Sequence, residues 1–474
     1  MISMPFQGHI TPFVRLALNL ASKGIVVTFV HLESIHQKLS KAHNHNHLDL
    51  FSDARQSGLG IRYATITDGF PLDYDRDLHP EKYWTSLLQV FPPYVDEFVG
   101  NIIRSDPLSQ HFLVTDTVYG WPAAVATKYN LLNVAFWTSP ALVFSLLYHL
   151  DLLKERGHFL CQDHVEEEIN YVPGVKSVST KDLMPYLKES GTGTLVHKIE
   201  MKAFEEVKKA DFILHNSVYE LESQTLSALN KLQPNYAVGP ISFSKNFASL
   251  TVTTSLWSQS DCSEWLSSKP PGSVLYVSFG SFLQASQQVI QEIAYGLLLS
   301  QVNFIWVVRE DAASPADPLP SEFRDEIKDK GLIIPWCDQI MVLSSPAVGG
   351  FLTHCGWNSV LESIWCGIPM ICYPLDYDQL TNRKLVVDDW EIGVNLREGE
   401  SAVDRKQVAE KIDKFMNGGA VSERHRQEVK KVSAILQNAL ESDGSSEANF
   451  DRFINDLKAK LAANSEETPL SLIV

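Results

Sequence analysis

Residues 353–369 read THCGWNSVLESIWCGIP, a polar stretch between two apolar runs. The run before it, Ala347 to Leu352, and the run after it, Met370 to Tyr373, each predict a short buried strand. Ser359 to Cys366 has helical spacing, and a Gly and a Pro follow it as a stop signal. In a parallel α/β sheet such a turn lies at the carboxyl edge, where ligands bind and helix amides point outward. The stretch therefore predicts an α/β fold with an anion site at this turn.

Length and composition limit the possible classes of protein. A chain of 474 residues is too long for one ordinary core and predicts two domains of roughly 200 residues each. With 45% hydrophobic and 20% charged residues it has the composition of a globular protein. The net charge of -17 argues against nucleic acid or an anionic membrane as a partner, because both select basic surfaces.

The cysteines and the apolar runs indicate the compartment. The 6 cysteines form no Cys-x-x-Cys pair and no metal-ligand spacing, so we expect reduced thiols and a cytoplasmic location. No apolar run reaches about 18 residues, and the start lacks the cationic segment of a signal peptide. We therefore expect no membrane span.

Strand and helix patterns alternate in two series. The first series contains a helix at 11–22 and strands at 25–30, 112–115 and 133–137; the second contains strands at 273–279 and 303–308 around a helix at 287–299. The predicted domains are 1–245 and 261–445, joined by a linker at 246–260 in a region rich in Ser and Thr. Residues 446–462 are predicted to form a helix that packs back on the first domain, and 463–474 a frayed tail.

A longer stretch carries a family resemblance. Trp336 to Gln379 reads WCDQIMVLSSPAVGGFLTHCGWNSVLESIWCGIPMICYPLDYDQ and resembles the signature box of plant UDP-dependent glycosyltransferases of small metabolites, the family 1 glycosyltransferases. The resemblance extends over nearly the whole chain, through Gly8-His9, Asp116, Phe136-Trp137-Thr138 and Phe279-Gly280-Ser281. It implies two facing Rossmann-like domains of the GT-B type, with the acceptor mainly on the first and the UDP-sugar mainly on the second. It also implies a monomer that needs no cofactor beyond its UDP-sugar co-substrate.

The polar turn is explained by the phosphates that the resemblance implies. Ser281, His354, Asn358 and Ser359 would converge on the diphosphate with the free amides of the helix, which neutralises two phosphates without many lysines. For this reason, and because we expect no Asp-x-Asp ligand pair at a strand end near the box, we expect transfer to need no divalent metal.

The ends of the box are expected to hold the nucleoside and the sugar. In the family the first Trp stacks on uracil, a role that falls to Trp336; the alternative for this residue is a core aromatic, because Trp usually packs. Gln339 would help hold the nucleoside. Asp378 and Gln379 would bind sugar hydroxyls together with Trp357, and a terminal Gln is associated with glucose, so UDP-glucose is the expected donor.

Glu362 allows two interpretations. Ser359-x-x-Glu362 is the pattern of a capping box, in which both side chains bind helix amides, and the residues alone favour that interpretation. The resemblance instead implies that Glu362 binds the ribose hydroxyls.

The expected catalytic base is His9. An acceptor oxygen attacks the anomeric carbon from the face opposite UDP, which inverts the configuration, and an imidazole can remove the proton. A lone His is more often structural, but the resemblance pairs His9 with Asp116, which would hold its tautomer and stabilise the imidazolium. Thr138 would touch the donor sugar.

The acceptor is less defined by the sequence. Phe144, Leu147 and Met184 suggest a lipophilic aglycone that reacts through a hydroxyl or a carboxyl group. A nicotinamide oxidoreductase is disfavoured because no G-x-G-x-x-G follows the first strand. A catalytically silent UDP-sugar-binding protein would lack His9 or Asp116, and both are present.

Two features depart from expectation. Only Met1 to Met4 precede Pro5, so the first strand, which should be central, is short; either the start is incomplete or the domain tolerates a clipped strand. The alternating His43, His45 and His47 could suggest a metal, but without Cys or acidic partners a solvated loop is the prediction.

Overall fold

The computed structural model describes residues 1–44, 49–160, 166–188, 195–244, 250, 252–283, 285–309, 317–328, 330–397, 399 and 402–467. The strands are β1 Val27–Leu32, β2 Ile61–Ile66, β3 Phe112–Asp116, β4 Leu132–Trp137, β5 Glu168–Ile169, β6 Val178–Ser179, β7 Phe212–His215, β8 Asn235–Ala237, β9 Val274–Ser278, β10 Asn303–Val307, β11 Gly331–Ile334, β12 Val348–Thr353, β13 Met370–Cys372 and β14 Gly393–Asn395. The α-helices are α1 Gln7–Ser22, α2 Glu33–Ala42, α3 Ser52–Gln56, α4 Pro80–Gln89, α5 Phe91–Ser105, α6 Pro122–Lys128, α7 Ala141–Tyr148, α8 Leu150–Glu155, α9 Leu195–Val207, α10 Ser223–Leu229, α11 Ser263–Ser267, α12 Gln287–Ser300, α13 Phe323–Ile327, α14 Gln339–Leu343, α15 Trp357–Trp365, α16 Gln379–Lys384, α17 Arg405–Asn417, α18 Ala420–Ala439 and α19 Ser445–Glu467.

The first half of the chain builds a parallel sheet around the N-terminal segment. Ile2 forms parallel bridges to Val30 of β1 and Thr115 of β3, and the sheet continues to β2 on one side and to β4, β7 and β8 on the other. The short segment before α1 therefore occupies the central position expected of the first strand. The order of strands reverses beside this segment, which opens a crevice at the carboxyl edge.

The second half builds a six-stranded parallel sheet in the order β11-β10-β9-β12-β13-β14. Here the order reverses between β9 and β12, so the turns that follow these two neighbours share one crevice. Every residue of β9 and of β12 is buried, as expected for parallel strands covered by helices on both faces. The α/β fold predicted from the two apolar runs is confirmed.

Some predicted boundaries differ from the structure. The first strand after α1 was expected at 25–30 and lies at Val27–Leu32, because Gly24 has a φ of 81° and the turn extends over the next two residues. The helix expected from Ser359 begins at Trp357, since the preceding Gly takes the extended conformation of an N-cap.

The last helix, α19, packs against the edge of the first sheet. The Phe453 ring lies 5.7 Å from Phe212 and 5.6 Å from Tyr236, measured between centroids, and the Tyr236 hydroxyl donates to Asp456 at 2.6 Å. Within the described residues, no helix combines the length and the apolar character needed to cross a bilayer.

Candidate functional site

A cavity of about 560 Å³ lies between the two large sheets, where the turns after their strands meet. All of the predicted site residues except Asp116 lie on its wall: His9, Thr138, Ser281, Trp336, Gln339, His354, Trp357, Asn358, Ser359, Glu362, Asp378 and Gln379. Asp116 is buried behind His9. The residues predicted from separate stretches of sequence are therefore assembled in one place.

His9 and Asp116 form a pair at the crevice of the first sheet. His9 lies in the first turn of α1, and its Nδ1 is 2.7 Å from Asp116 Oδ2. The Thr138 hydroxyl lies 3.2 Å from the same Nδ1. The Asp116 carboxylate also accepts from the amides of Met4 at 3.3 Å and Val118 at 3.2 Å, so its orientation is held from two sides.

The charge of Asp116 raises the pKa of the His9 imidazole. Burial lowers the pKa of His9, but the charge and the hydrogen bond of Asp116, with smaller contributions from Asp378 and Glu200, raise it above its ordinary value. The His9 side chain is 27% exposed, whereas Asp116 is 1% exposed. Since Nδ1 faces the carboxylate, Nε2 is the nitrogen left to a molecule in the cavity.

The second sheet presents His354 between two glycines. A Cβ at Gly280 would lie 2.3 Å from His354 Nε2, and one at Gly356 would lie 2.4 Å from it. Burial lowers the pKa of His354 to about 4, and the charge of Arg309 adds to this effect. The imidazole is therefore neutral near pH 7 and acts as a hydrogen-bond donor rather than a cation.

The turn into α15 exposes helix amides. Cys355 has a φ of 66°, and Gly356 is an N-cap without a side-chain cap, so the first amides of the helix have no intrahelical acceptor. Asn358 Nδ2 donates to Gly8 O at 2.7 Å, which ties this turn to the start of α1. The arrangement suits an anion at the helix N-terminus.

The capping-box interpretation of Ser359 and Glu362 is wrong. Ser359 lies inside α15 rather than at its N-cap. Its hydroxyl accepts from Gln339 Nε2 at 3.0 Å, and Glu362 Oε2 accepts from the same nitrogen at 2.7 Å. Burial raises the pKa of Glu362 to about 7, while the hydrogen bond from Gln339 acts in the opposite direction.

Trp336 lies beside this network at the end predicted for the nucleoside. Its ring centroid is 4.5 Å from that of Trp257, with the planes at 34°. Trp336 also lines the cavity. Trp257 packs against the Trp336 ring, and the Trp336 ring can contact a ligand in the cavity.

Asp378 and Gln379 lie at the start of α16. Asp378 Oδ2 accepts from Asn382 Nδ2 at 2.9 Å, and burial raises the pKa of Asp378 above its ordinary value. Gln379 Oε1 accepts from the amides of Leu375 at 2.8 Å and Asp376 at 3.2 Å. The oxygen of the Gln379 carboxamide is thus bound by the amides of Leu375 and Asp376, and its NH₂ group is the part that can donate to a ligand.

The indole N–H of Trp357 donates a hydrogen bond within the protein. Its Nε1 donates to Asn216 O in the first half at 2.7 Å, and the side chain is buried. The predicted hydrogen bond from Trp357 to a sugar must therefore come from the backbone amide, which lies in the first turn of α15.

The apolar residues predicted for the acceptor pocket are wrong. Phe144, Leu147 and Met184 are at most 1% exposed and belong to the core. Outside the predicted site residues, the aromatic side chains of the described cavity wall are Phe6, Trp84, Trp137, Tyr186, Tyr276, Phe282 and Tyr377. Of these, Phe282 is 46% exposed although it is apolar.

Two charged residues on the wall were missed by the sequence reasoning. Arg15 Nε and Glu200 Oε2 are buried, and neither has a hydrogen-bond partner among the residues that the structure describes. Glu200 shares a face of α9 with the buried Ala203 and Phe204, and a charge inside an apolar stripe is the signal that could have located it. Arg15 instead extends a polar row with Thr11 on α1, which gives no such signal.

The histidine run and one acidic pair bear on metal binding. His43 Nε2 lies 2.9 Å from Ser255 O, whereas His45 and His47 lie outside the described residues. The expectation that no Asp-x-Asp pair lies near the box is wrong, because Asp376 and Asp378 have that spacing shortly after β13. In the described part of the chain, no group of three or more His, Cys, Asp or Glu side chains is placed to hold a metal ion.

Comparison with known proteins bears on this site. A family model described as "UDP-glucoronosyl and UDP-glucosyl transferase" matches residues 240–434. UDP-glycosyltransferase 86A1 of Arabidopsis thaliana is 50% identical over 468 residues, 97% of this chain and 94% of that protein. The 7-deoxyloganetin glucosyltransferase of Gardenia jasminoides is 33% identical over 479 residues, 97% of each chain.

A solved structure supports the same relationship. Phytolacca americana UGT2, complexed with UDP-2fluoro-glucose and pterostilbene, aligns with a TM-score of 0.76 at 25% identity, over 96% of this chain and 98% of that chain. The similarity spans both sheets and the cavity between them. The chain therefore belongs to the family 1 UDP-glycosyltransferases of plants, which have the GT-B fold and use a UDP-sugar as co-substrate.

Proposed function

We propose that this glycosyltransferase transfers glucose from UDP-glucose to a hydroxyl group of a small lipophilic plant metabolite, with inversion at the anomeric carbon. The observation that carries the proposal is the position of the His9 and Asp116 pair across the cavity from Asp378 and Gln379. After burial and Asp116, the charge of Asp378 is the next influence on the pKa of His9. The base and the sugar end of the cavity are therefore close neighbours.

His9 acts as the general base in the proposed reaction. Its Nε2 takes the proton of the acceptor hydroxyl as the oxygen forms a bond to the anomeric carbon and UDP leaves with the electron pair of the broken bond. Asp116 stabilises the imidazolium that forms and keeps the ring in the productive tautomer.

The second half, residues 261–445 with the linker at 246–260, holds the donor in this proposal. Ser281, His354 and the first amides of α15 donate to the diphosphate. Trp336 stacks on uracil and Glu362 accepts from the ribose hydroxyls, while Gln339 positions Glu362 through the 2.7 Å hydrogen bond.

Glucose is the proposed sugar and an apolar aglycone the proposed acceptor. The Gln379 NH₂ group, the Asp378 carboxylate and the Trp357 amide are the groups that would meet the sugar hydroxyls. The first half, residues 1–245, would hold the acceptor. The exposed ring of Phe282 from the second half lies 4.9 Å from Phe6 of the first and favours an apolar ligand there. The name of the Gardenia relative, a glucosyltransferase, supports the choice of sugar.

We also propose a monomeric, cytoplasmic enzyme. One chain supplies both walls of the cavity, so no second copy is needed to complete the site. The described cysteines, Cys262, Cys337, Cys355, Cys366 and Cys372, are all free thiols, which fits a reducing compartment.

A donor and acceptor screen tests the proposed function. The protein is incubated with UDP-glucose, UDP-galactose or UDP-glucuronic acid and a panel of phenols and terpenoid alcohols, and the products are identified by mass. The anomeric configuration of the product is then read by NMR. We expect UDP-glucose to give the fastest transfer and a β-glucoside; a retained α-product, or transfer only from another sugar, contradicts the proposal.

Removal of divalent ions is expected to leave the rate nearly unchanged. Neutral hydrogen-bond donors and helix amides can stabilise the charge that develops on the departing UDP, which is the task a metal would otherwise perform. The measurement is transfer from UDP-glucose with and without excess EDTA, and then with added Mn²⁺. A loss of activity that Mn²⁺ restores would instead point to the Asp376 and Asp378 pair as metal ligands.

Exchange of Gln379 for His is expected to change the choice of sugar. The imidazole introduced at this position cannot accept from the amides of Leu375 and Asp376 and still donate two N–H groups to the sugar. We therefore expect kcat/KM for UDP-glucose to fall about tenfold or more. The ratio of UDP-galactose to UDP-glucose use should rise. Gln437→His, at an exposed position of α18, makes the same change outside the cavity and serves as the control. Equal donor ratios in both variants would remove Gln379 from sugar recognition.

A further inference from the structure

Glu200 is a buried carboxyl group on the acceptor side of the cavity. It lies on α9, and its side chain lines the same wall as His9 and Tyr186. Oε2 is shut off from solvent and accepts no hydrogen bond from any residue in the described ranges. The proposed reaction assigns no role to this group.

A second buried glutamate, Glu222, shows how protein donors can hydrogen-bond to a buried carboxylate in this fold. Glu222 accepts from the amides of Ala141 at 2.9 Å and Leu142 at 2.8 Å and from the Ser217 hydroxyl. All of these partners belong to the protein itself. A buried oxygen that lacks them loses stability, and the Glu200 side chain as a whole lines a cavity that a ligand can fill.

Charged neighbours make the wall around Glu200 negative. Burial, together with the charges of Asp116 and Asp378, raises the pKa of Glu200 to about 7, and His9 acts in the opposite direction. Near pH 8 the group is mostly ionised. The carboxylates of Glu200 and Asp378, with that of Asp116 behind His9, then surround a single imidazole, an environment that disfavours an added anion.

The other titratable groups that face Glu200 are phenols. Burial is the first cause that raises the pKa of Tyr186 well above its ordinary value and that of Tyr377 to about 12, and Glu200 contributes to both shifts. Both hydroxyls remain protonated at neutral pH. Of the groups named here, only Glu200 and His9 therefore change their protonation between pH 6 and 8.

We propose that Glu200 determines acceptor specificity: its carboxylate accepts a hydrogen bond from a second hydroxyl of the acceptor, and the negative wall disfavours acceptors that carry a carboxylate. The proposal rests on the proposed function, in which His9 activates the reacting hydroxyl. The acceptor class is then a neutral aglycone with at least two hydroxyl groups, and glucose esters of carboxylic acids are poor products.

The test compares acceptors that share one aromatic skeleton. They are a dihydroxy compound, its monomethyl ether and the analogue in which a carboxylate replaces the second hydroxyl, each measured at pH 8 with UDP-glucose. The variants are Glu200→Gln, which keeps the size of the side chain, and Glu205→Gln, which makes the same change at an exposed position of α9. UDP binding by calorimetry verifies that each variant is folded.

Glu200→Gln is expected to change the order of the acceptors. For the dihydroxy compound kcat/KM should fall about tenfold, the effect of losing a charged hydrogen-bond partner. For the monomethyl ether it should stay within about twofold, and for the carboxylate it should rise several-fold. Glu205→Gln should match the parent protein with all three.

The pH profile separates recognition by Glu200 from a merely structural role. Ionisation of His9 affects every acceptor alike and cancels in the ratio of the dihydroxy compound to its monomethyl ether. In the parent protein this ratio should rise as pH increases through about 7, because Glu200 becomes a carboxylate; in Glu200→Gln it should be flat.

Each outcome decides one of the two proposals. If the parent protein transfers no sugar to any hydroxyl acceptor, the proposed function fails and the role of Glu200 fails with it. If the parent protein is active but Glu200→Gln affects all three acceptors equally, or none of them, only the role of Glu200 in specificity is overturned.

Discussion

His9→Ala is expected to lower turnover by about 10² to 10⁴, the usual range for loss of a general base. The ring is held 2.7 Å from Asp116 at Nδ1, which leaves Nε2 as the nitrogen that can take the acceptor proton. UDP affinity should stay near the parent value, because the proposed uracil and phosphate contacts lie in the second half. Turnover with UDP-glucose and a phenolic acceptor, paired with calorimetric UDP binding, measures both quantities.

Two further variants sharpen this test. Asp116→Asn should lower turnover less than His9→Ala, because the imidazole remains but loses its ionic partner. The double variant should be little worse than His9→Ala, since the carboxylate acts through the ring. If His9→Ala keeps more than about half of parental turnover while chemistry limits the rate, His9 is structural and another base operates.

Gly280→Ala is expected to weaken UDP binding about a hundredfold. Gly280 has a φ of 79°, and the added Cβ would lie 2.3 Å from His354 Nε2. The strain at a positive φ, about 1–3 kcal/mol, lowers the stability of the fold, whereas displacement of His354 removes a hydrogen bond to a charged phosphate, worth about 1.5–3 kcal/mol. A loss near the upper end of the second range corresponds to about two factors of ten in affinity, measured as the Kd of UDP by calorimetry.

Gly272→Ala provides the matched control for this prediction. Gly272 also has a positive φ, 67°, but a Cβ there would meet no atom within 4 Å. It precedes β9 at the sheet edge opposite the cavity, so the substitution strains the backbone without touching His354. We expect a lower Tm with unchanged UDP affinity. Equal UDP affinities in the two glycine variants would argue against a role for His354 in holding the diphosphate.

Local sequence patterns were enough to predict the elements that carry the site. The apolar runs around the polar turn correspond to β12 and β13, and the run at 273–279 contains β9. A buried parallel strand reveals itself in a few consecutive residues, and a strand followed by a polar turn places that turn at the carboxyl edge. His354, Asn358 and the other residues of the contiguous box could be named because the box resembles the signature of the family.

Hydrogen bonds between residues that are distant in sequence could be identified only from the tertiary structure. Asn358 donates to Gly8 and Trp357 to Asn216, so two predicted ligand-binding side chains also join the halves of the molecule. No local pattern encodes such pairs, because they depend on how the two sheets face each other. The same packing placed Ser359 and Glu362 around Gln339 instead of in a capping box.

By itself, the sequence determined the family, the α/β fold and the residues at the turns, because each of these is expressed in contiguous residues. It did not determine the acceptor wall. Phe144 is as apolar as Phe282, yet the first is buried in the core and the second is exposed at the cavity. Burial, and with it the raised pKa of Glu200, depends on every neighbour in three dimensions, so only the tertiary structure could assign it.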